Sequence, residues 1–163
     1  EWRRRQEAVL VLDRIGNAHN LGAIARTAAF FGVPRIVVPD DPAAALPGEA
    51  AYRVAEGGLA HVEVLRVRDL AAFVRELAAA EYEVVGAATR GAAPLRGEKK
   101  EKRGGETKGR PVALVLGSEE HGLAPDVAAA CTRLVTIPGS GKVESLNVSV
   151  AAAVLTWELV ARR

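Results

Sequence analysis

The chain reads as an α/β domain in which a mostly parallel sheet is flanked by helices, and three observations predict it. Runs at 8–12 and 112–116 are apolar at every position, as expected of strands buried on both faces. Stretches with helical spacing, such as Leu70, Phe73, Val74 and Leu77, alternate with those runs. Polar, Gly-containing loops follow the strands, and alternation of this kind implies parallel strands joined by crossover helices.

Each element has its own signal. Residues 1–7 form a polar lead-in with Arg3-Arg4-Arg5, expected to be a linker or the end of an upstream region; the absence of Met points the same way. The domain is placed at 8–163. The first strand, 8–12, stops at Asp13, and 14–19 is a polar loop. Asn20 reads as the N-cap of a helix through Phe31, with Leu21, Ile24, Ala25 and Ala28 at core spacing. Gly32 and Pro34 end it. Strands follow at 35–38 and 62–65, with a short helix expected at 50–55 in a weakly patterned stretch. A helix at 69–80 leads to a strand at 83–88. The segment 96–110 is polar and low in complexity, with seven Lys and Arg against three Glu, and reads as a flexible basic loop. A strand at 112–116, a helix at 125–130, a strand at 134–137 and a helix at 146–160 complete the pattern. In such sheets ligands gather beyond the C-terminal strand ends, where the loops starting at Thr89, Gly117 and Ile137 all fall.

Composition narrows the function classes. The 163 residues suffice for one domain with a real core, and a hydrophobic content of 49% suits a soluble globular protein. Aromatics make up only 4%, so Val, Leu, Ile and Ala must fill the core. No apolar run approaches the roughly 20 residues of a membrane span. One Cys allows no disulfide framework and no Cys-based metal site, which fits a reducing cytoplasm, and three scattered His make a metal centre unexpected. A net charge of +2 does not by itself advertise nucleic acid, but the uneven placement of basic residues matters more.

Three segments can carry chemistry. Asn20-x-Gly22-x-x-x-Arg26 puts a guanidinium on an Ala-rich helix, where it either meets an anion or packs its stem on the surface. Gly117-Ser118-Glu119-Glu120-x-Gly122-Leu123 can hold Glu119 over the strand ends while backbone touches a ligand; its acids otherwise simply face solvent. Residues 137–149 run from an apolar strand end through two glycines into a helix start rich in Glu144, Ser145, Asn147 and Ser149. Glycines permit close backbone approach and a helix start offers unpaired N–H groups, a combination suited to a polar ligand or to an ordinary turn. No GxxxxGK[ST] or GxGxxG loop is present, and no GxSxG elbow or nearby His makes Ser145 a hydrolase nucleophile.

Together the three segments resemble the SpoU (TrmH) family of RNA ribose 2′-O-methyltransferases, of the SPOUT class. The resemblance rests on Asn20-x-Gly22-x-x-x-Arg26-x-Ala28, on Leu116-Gly117-Ser118-Glu119-x-x-Gly122-Leu123, and on Ile137-Pro138 with Glu144-Ser145-Leu146-Asn147-Val148-Ser149-x-Ala151, in that order along nearly the whole chain. It implies a sheet whose C-terminal part is threaded into a deep trefoil knot, and a homodimer whose active site is completed across the interface. It implies S-adenosylmethionine as methyl donor, held by Thr89, Leu116, Gly117, Ile137, Leu146 and Ser149. Arg26 matches the family's catalytic arginine, and Asn20, Glu119, Ser145 and Asn147 its supporting polar residues. The substrate implied is tRNA or rRNA, with Arg14, Lys99, Lys100, Lys102 and Arg103 as candidate phosphate contacts. An inactive, dimeric RNA-binding or assembly module of the same fold, and an unrelated α/β nucleotide-binding enzyme, are the alternatives.

Overall fold

Strand formation follows the apolar runs. The computed structural model describes residues 2, 4–89, 92–95 and 109–162. Its strands are β1 (Val9–Asp13), β2 (Arg35–Pro39), β3 (Glu63–Val67), β4 (Glu83–Ala87), β5 (Ala93–Pro94), β6 (Val112–Gly117) and β7 (Arg133–Thr136). They form one sheet in the order β3-β2-β1-β6-β4-β7-β5, and every pairing is parallel. The helices are α1 (Ala18–Phe30), α2 (Glu49–Ala55), α3 (Leu70–Ala79), α4 (Pro125–Ala130) and α5 (Val148–Thr156), the last continuing as a π-helical turn, Trp157–Ala161.

Alternation along each strand feeds two cores. Leu10 and Leu12 of β1 and Leu114 and Leu116 of β6 pack with Leu21, Ile24 and Ala28 of α1, Ala51 of α2 and Leu155 of α5. Val9, Val11, Ala113 and Val115 face the other way, onto Leu70, Val74 and Leu77 of α3 and Val127 of α4. Each fully buried Leu or Val contributes about 1.5–3 kcal/mol of transfer free energy, so the two layers clamp the sheet from both sides.

Two local features depart from expectation. The cap of α1 is Asn17, not Asn20: its Oδ1 accepts the amide N–H groups of His19 at 2.8 Å and Asn20 at 3.4 Å. Asn20 therefore lies in the first helical turn with its side chain available elsewhere. The two-residue β5 pairs with β7 through Ala93 and Pro94, and it carries no sequence pattern of its own.

Gly22 has a packing reason. A Cβ there would lie 2.4 Å from the carbonyl oxygen of Ala51, so only glycine lets α1 and α2 approach this closely.

Because β1, β6, β4 and β7 are contiguous and parallel, their C-terminal ends share one edge of the sheet. The segments leaving that edge build the candidate site.

Candidate active site

The loops after β4, β6 and β7 surround a cleft of about 850 Å³. From β4 come Ala87, Ala88 and Thr89; from β6, residues 116–122; from β7, Ile137 through Gly141 and then 143–146. Val148, Ala151 and Leu155 of α5 add an apolar wall. Of the expected donor-binding residues, Thr89, Leu116, Gly117, Ile137 and Leu146 line the cleft, and Ser149 does not.

The β6 loop is folded tightly on itself. The Gly122 amide donates to the carbonyl of Ser118 at 2.8 Å, and the His121 amide donates to Ser118 Oγ at 3.1 Å. A Cβ on Gly117 would stand 2.2 Å from the carbonyl carbon of Gly122, so the return of the loop requires a glycine there. Gly122 itself has φ +65°, which few other residues adopt.

Three expected polar residues meet at the rim. The side-chain amide of Asn147 donates to Glu119 Oε1 at 2.6 Å and to Asn20 Oδ1 at 3.2 Å. Glu119 Oε1 also accepts the Val148 amide at 2.9 Å, so the carboxylate sits on the first turn of α5. Asn147 caps that helix: its Oδ1 accepts the Ser149 amide at 2.9 Å and the Ser149 hydroxyl at 2.5 Å. Ser149 thus acts on Asn147 rather than on the cleft. Ser145 and Glu119 both line the cleft.

Arg26 lies elsewhere. It is not among the lining residues, its side chain is 59% exposed, and it pairs with Glu56 at 3.1 Å. On one chain alone, the guanidinium and the cleft are separate. Arg14 donates to the carbonyl oxygens of Gly122 at 2.9 Å and His121 at 3.3 Å, gripping the β6 loop. Lys99, Lys100, Lys102 and Arg103 lie outside the described residues.

Sequence reasoning passed over Asp13. It is 4% exposed, and its Oδ2 accepts the Ala124 amide at 2.5 Å, with Arg14 Nε 3.8 Å away. Burial pushes its carboxyl above the usual value, against the lowering pull of the Ala124 amide and of Arg14. A charged residue ending an otherwise apolar strand was the available signal.

Chemically, the cleft combines close backbone with carboxylates from Glu119, Glu120 and Glu144. That lining favours a cationic ligand over a phosphate-bearing one. Among the described residues, no group of three His, Cys, Asp or Glu sits together to hold a metal, and no helix is long and apolar enough to cross a membrane.

A sequence model of the SpoU rRNA Methylase family matches residues 7–157. The chain belongs to the SpoU family. It is 39% identical over 150 residues to the 23S rRNA (guanosine-2′-O-)-methyltransferase RlmB of Nitrosomonas europaea, covering 92% of this chain and 54% of that protein. The chain thus spans little more than half the length of that relative. Among solved SpoU-like structures, a TrmH-family protein from Porphyromonas gingivalis superposes with TM-score 0.80 at 32% identity, over 96% of this chain and 60% of that one. The SpoU methyltransferase AviRb from Streptomyces viridochromogenes, in complex with the cofactor AdoMet, superposes with TM-score 0.78 at 25% identity, over 97% and 58%.

Proposed function

We propose that the protein transfers a methyl group from S-adenosylmethionine to a ribose 2′-hydroxyl of tRNA or rRNA, residues 8–163 forming the methyltransferase domain. The observation that carries this is the acid-rimmed cleft framed by the loops after β4, β6 and β7, at whose edge Asn20, Glu119 and Asn147 are hydrogen-bonded together. RlmB and AviRb, both named as methyltransferases, support the chemistry.

The residues present fit such a donor. Backbone at Gly117, where no Cβ can be accommodated, and apolar Leu116, Ile137 and Leu146 suit an adenosine, and the Glu carboxylates suit a cationic centre. When bound, S-adenosylmethionine supplies an electrophilic methyl on a sulfonium. The protein must orient the 2′-oxygen in line with it and stabilise charge as the hydroxyl proton leaves. Arg26, whose guanidinium offers five N–H donors and no acceptor, is suited to contact the 2′-oxygen or its phosphate as an electrostatic stabiliser rather than as a base. Asn20 and Asn147 orient polar groups beside it, and Glu119 holds Asn147 in place.

Because Arg26 lies outside its own cleft, the active unit is a homodimer in which one protomer's Arg26 faces the other's cleft. Phe30, one helical turn beyond Arg26, is 81% exposed; Phe31 stacks near Trp157 at 5.9 Å, and Val150, Val154 and Trp157 of the last helix are exposed too. This apolar face spanning α1 and α5 is suited to a second copy of the chain. The crossing of the β6 and β7 loops ahead of α5 is the expected place of the trefoil knot, and a reducing cytoplasm suits the lone Cys131.

The test is methyl transfer from radiolabelled S-adenosylmethionine to rRNA and tRNA, with sugar-methyl mapping of the product. Arg26→Ala is expected to abolish transfer and leave donor affinity by calorimetry near that of the unaltered protein. Equal activity in that variant removes Arg26 from the mechanism, and no donor binding by the unaltered protein favours the inactive RNA-binding module.

A further inference from the structure

The β1 end does more than finish a strand. Asp13 is paired in register with Gly117, so the carboxylate stands beside the residue where the cleft loop departs. In a regular strand, Asp13 and Arg14 would point to opposite faces. Arg14 instead has φ +56°, a left-handed backbone uncommon for a non-glycine residue and found where surrounding structure enforces it. Both side chains then serve the same loop. Asp13 takes the Ala124 amide at the loop's far end, and Arg14 donates to two carbonyls, His121 and Gly122, at its turn. Both hydrogen bonds leave the one Nη2 at the tip of the side chain, a reach that the shorter lysine does not match.

We propose that Asp13 and Arg14 are a positioning pair that sets the shape of the Gly117–Gly122 loop and, through it, the affinity of the cleft for its methyl donor. This rests on the reading of the cleft given above. Neither residue is among those lining the cleft, so neither is expected to touch the donor itself. A carboxylate whose burial opposes its charge is a costly way to hold a loop, and its placement on the backbone of a cleft wall gives that cost a purpose.

The experiment measures two things on the full chain: donor affinity by calorimetry and amide hydrogen exchange of the Gly117–Ala124 segment without donor. Arg14→Ala is expected to weaken S-adenosylmethionine binding about tenfold, to speed exchange at Gly122 and His121, and to leave the melting temperature nearly unchanged, a combination a merely structural surface residue does not give. Arg14→Lys is expected to recover only part of the affinity. Asp13→Ala is expected to speed exchange at Ala124, and Asp13→Asn, which keeps an acceptor for that amide, to restore protection. If Asp13→Ala does not fold, the Arg14 variants and Asp13→Asn decide the matter. Unchanged exchange, or faster exchange with unchanged donor affinity, overturns the proposal. If the unaltered protein binds no donor while exchange responds as expected, it is the reading of the cleft that fails.

Discussion

Asn147 and Glu119, 28 residues apart, are joined by a 2.6 Å hydrogen bond that ties the loop after β6 to the cap of α5. The same Glu119 oxygen takes the Val148 amide, so one carboxylate both secures a helix start and fixes the amide that reaches Asn20. Removing Glu119 leaves two donors without their acceptor. Glu119→Ala is expected to cost about 1–2 kcal/mol of stability and to lower methyl transfer on the order of a hundredfold through misplacement of Asn147 and Asn20. Denaturant unfolding and initial rates check it; full activity in the variant would detach the carboxylate from the reaction.

Asn147 can be separated from Glu119 by its second role. Asn147→Ala removes the cap on α5 and is expected to cost about 1 kcal/mol. Asn147→Asp keeps the acceptor for Ser149 but sets a carboxylate against Glu119. It is therefore expected to lose more stability than Asn147→Ala in denaturant unfolding; a smaller loss would contradict the contact.

Gly117→Ala tests the loop's shape. The added methyl meets backbone at 2.2 Å, which no side-chain rotation relieves. The β6 loop must move, with an expected loss of about 1–3 kcal/mol and a donor affinity too weak for calorimetry. Donor binding at the level of the unaltered protein would show that the loop does not shape the cleft.

Asp13 predicts a pH dependence of definite sign. Its carboxyl is raised above 3.8 in the folded protein, chiefly by burial, so the folded state holds the proton more tightly than the unfolded chain does. Its contribution to stability is fully present below that unfolded value, falls as pH rises through the folded pKa, and stays lost at neutrality. Asp13→Asn, which does not titrate, should therefore gain melting temperature relative to the unaltered protein as pH rises from acid to neutral. A difference that shrinks over that range would reverse the sign assigned to burial.

Trp157→Glu addresses assembly. Trp157 is 52% exposed beside Phe31, and a charge placed there should turn a dimer into a monomer by light scattering and abolish transfer while leaving each chain folded. A monomeric unaltered protein with full activity would remove the shared active site.

Much of this was legible because local rules and tertiary structure agreed. α4 starts at Pro125, a residue pre-set for a first helical position, and ends where expected. The strands β1 and β6 announced themselves by having no polar face across 9–12 and 112–116. Where two local answers competed, tertiary contact decided. Asn20 is the expected cap of α1, and Asn17 takes that role instead, which leaves Asn20 free to meet Asn147. The grip of Arg14 on the β6 loop left no signal in the sequence, because its acceptors lie 107 and 108 residues away, a distance no local pattern encodes. The pairing of Arg26 with Glu56 was equally invisible, since it depends on how α2 ends against α1. The π-helical turn at Trp157 left no trace in a sequence that simply continues a helix.

The place of β6 between β1 and β4 has a consequence for how the molecule comes into being. During vectorial synthesis both neighbours leave the ribosome before the strand that separates them, so each waits with an open, apolar edge. The centre of the sheet is thus added after five of the other six strands, and the loop that Asp13 holds cannot exist until that gap is filled. A nascent chain halted short of Val112 would expose two adhesive borders and have no donor cleft at all.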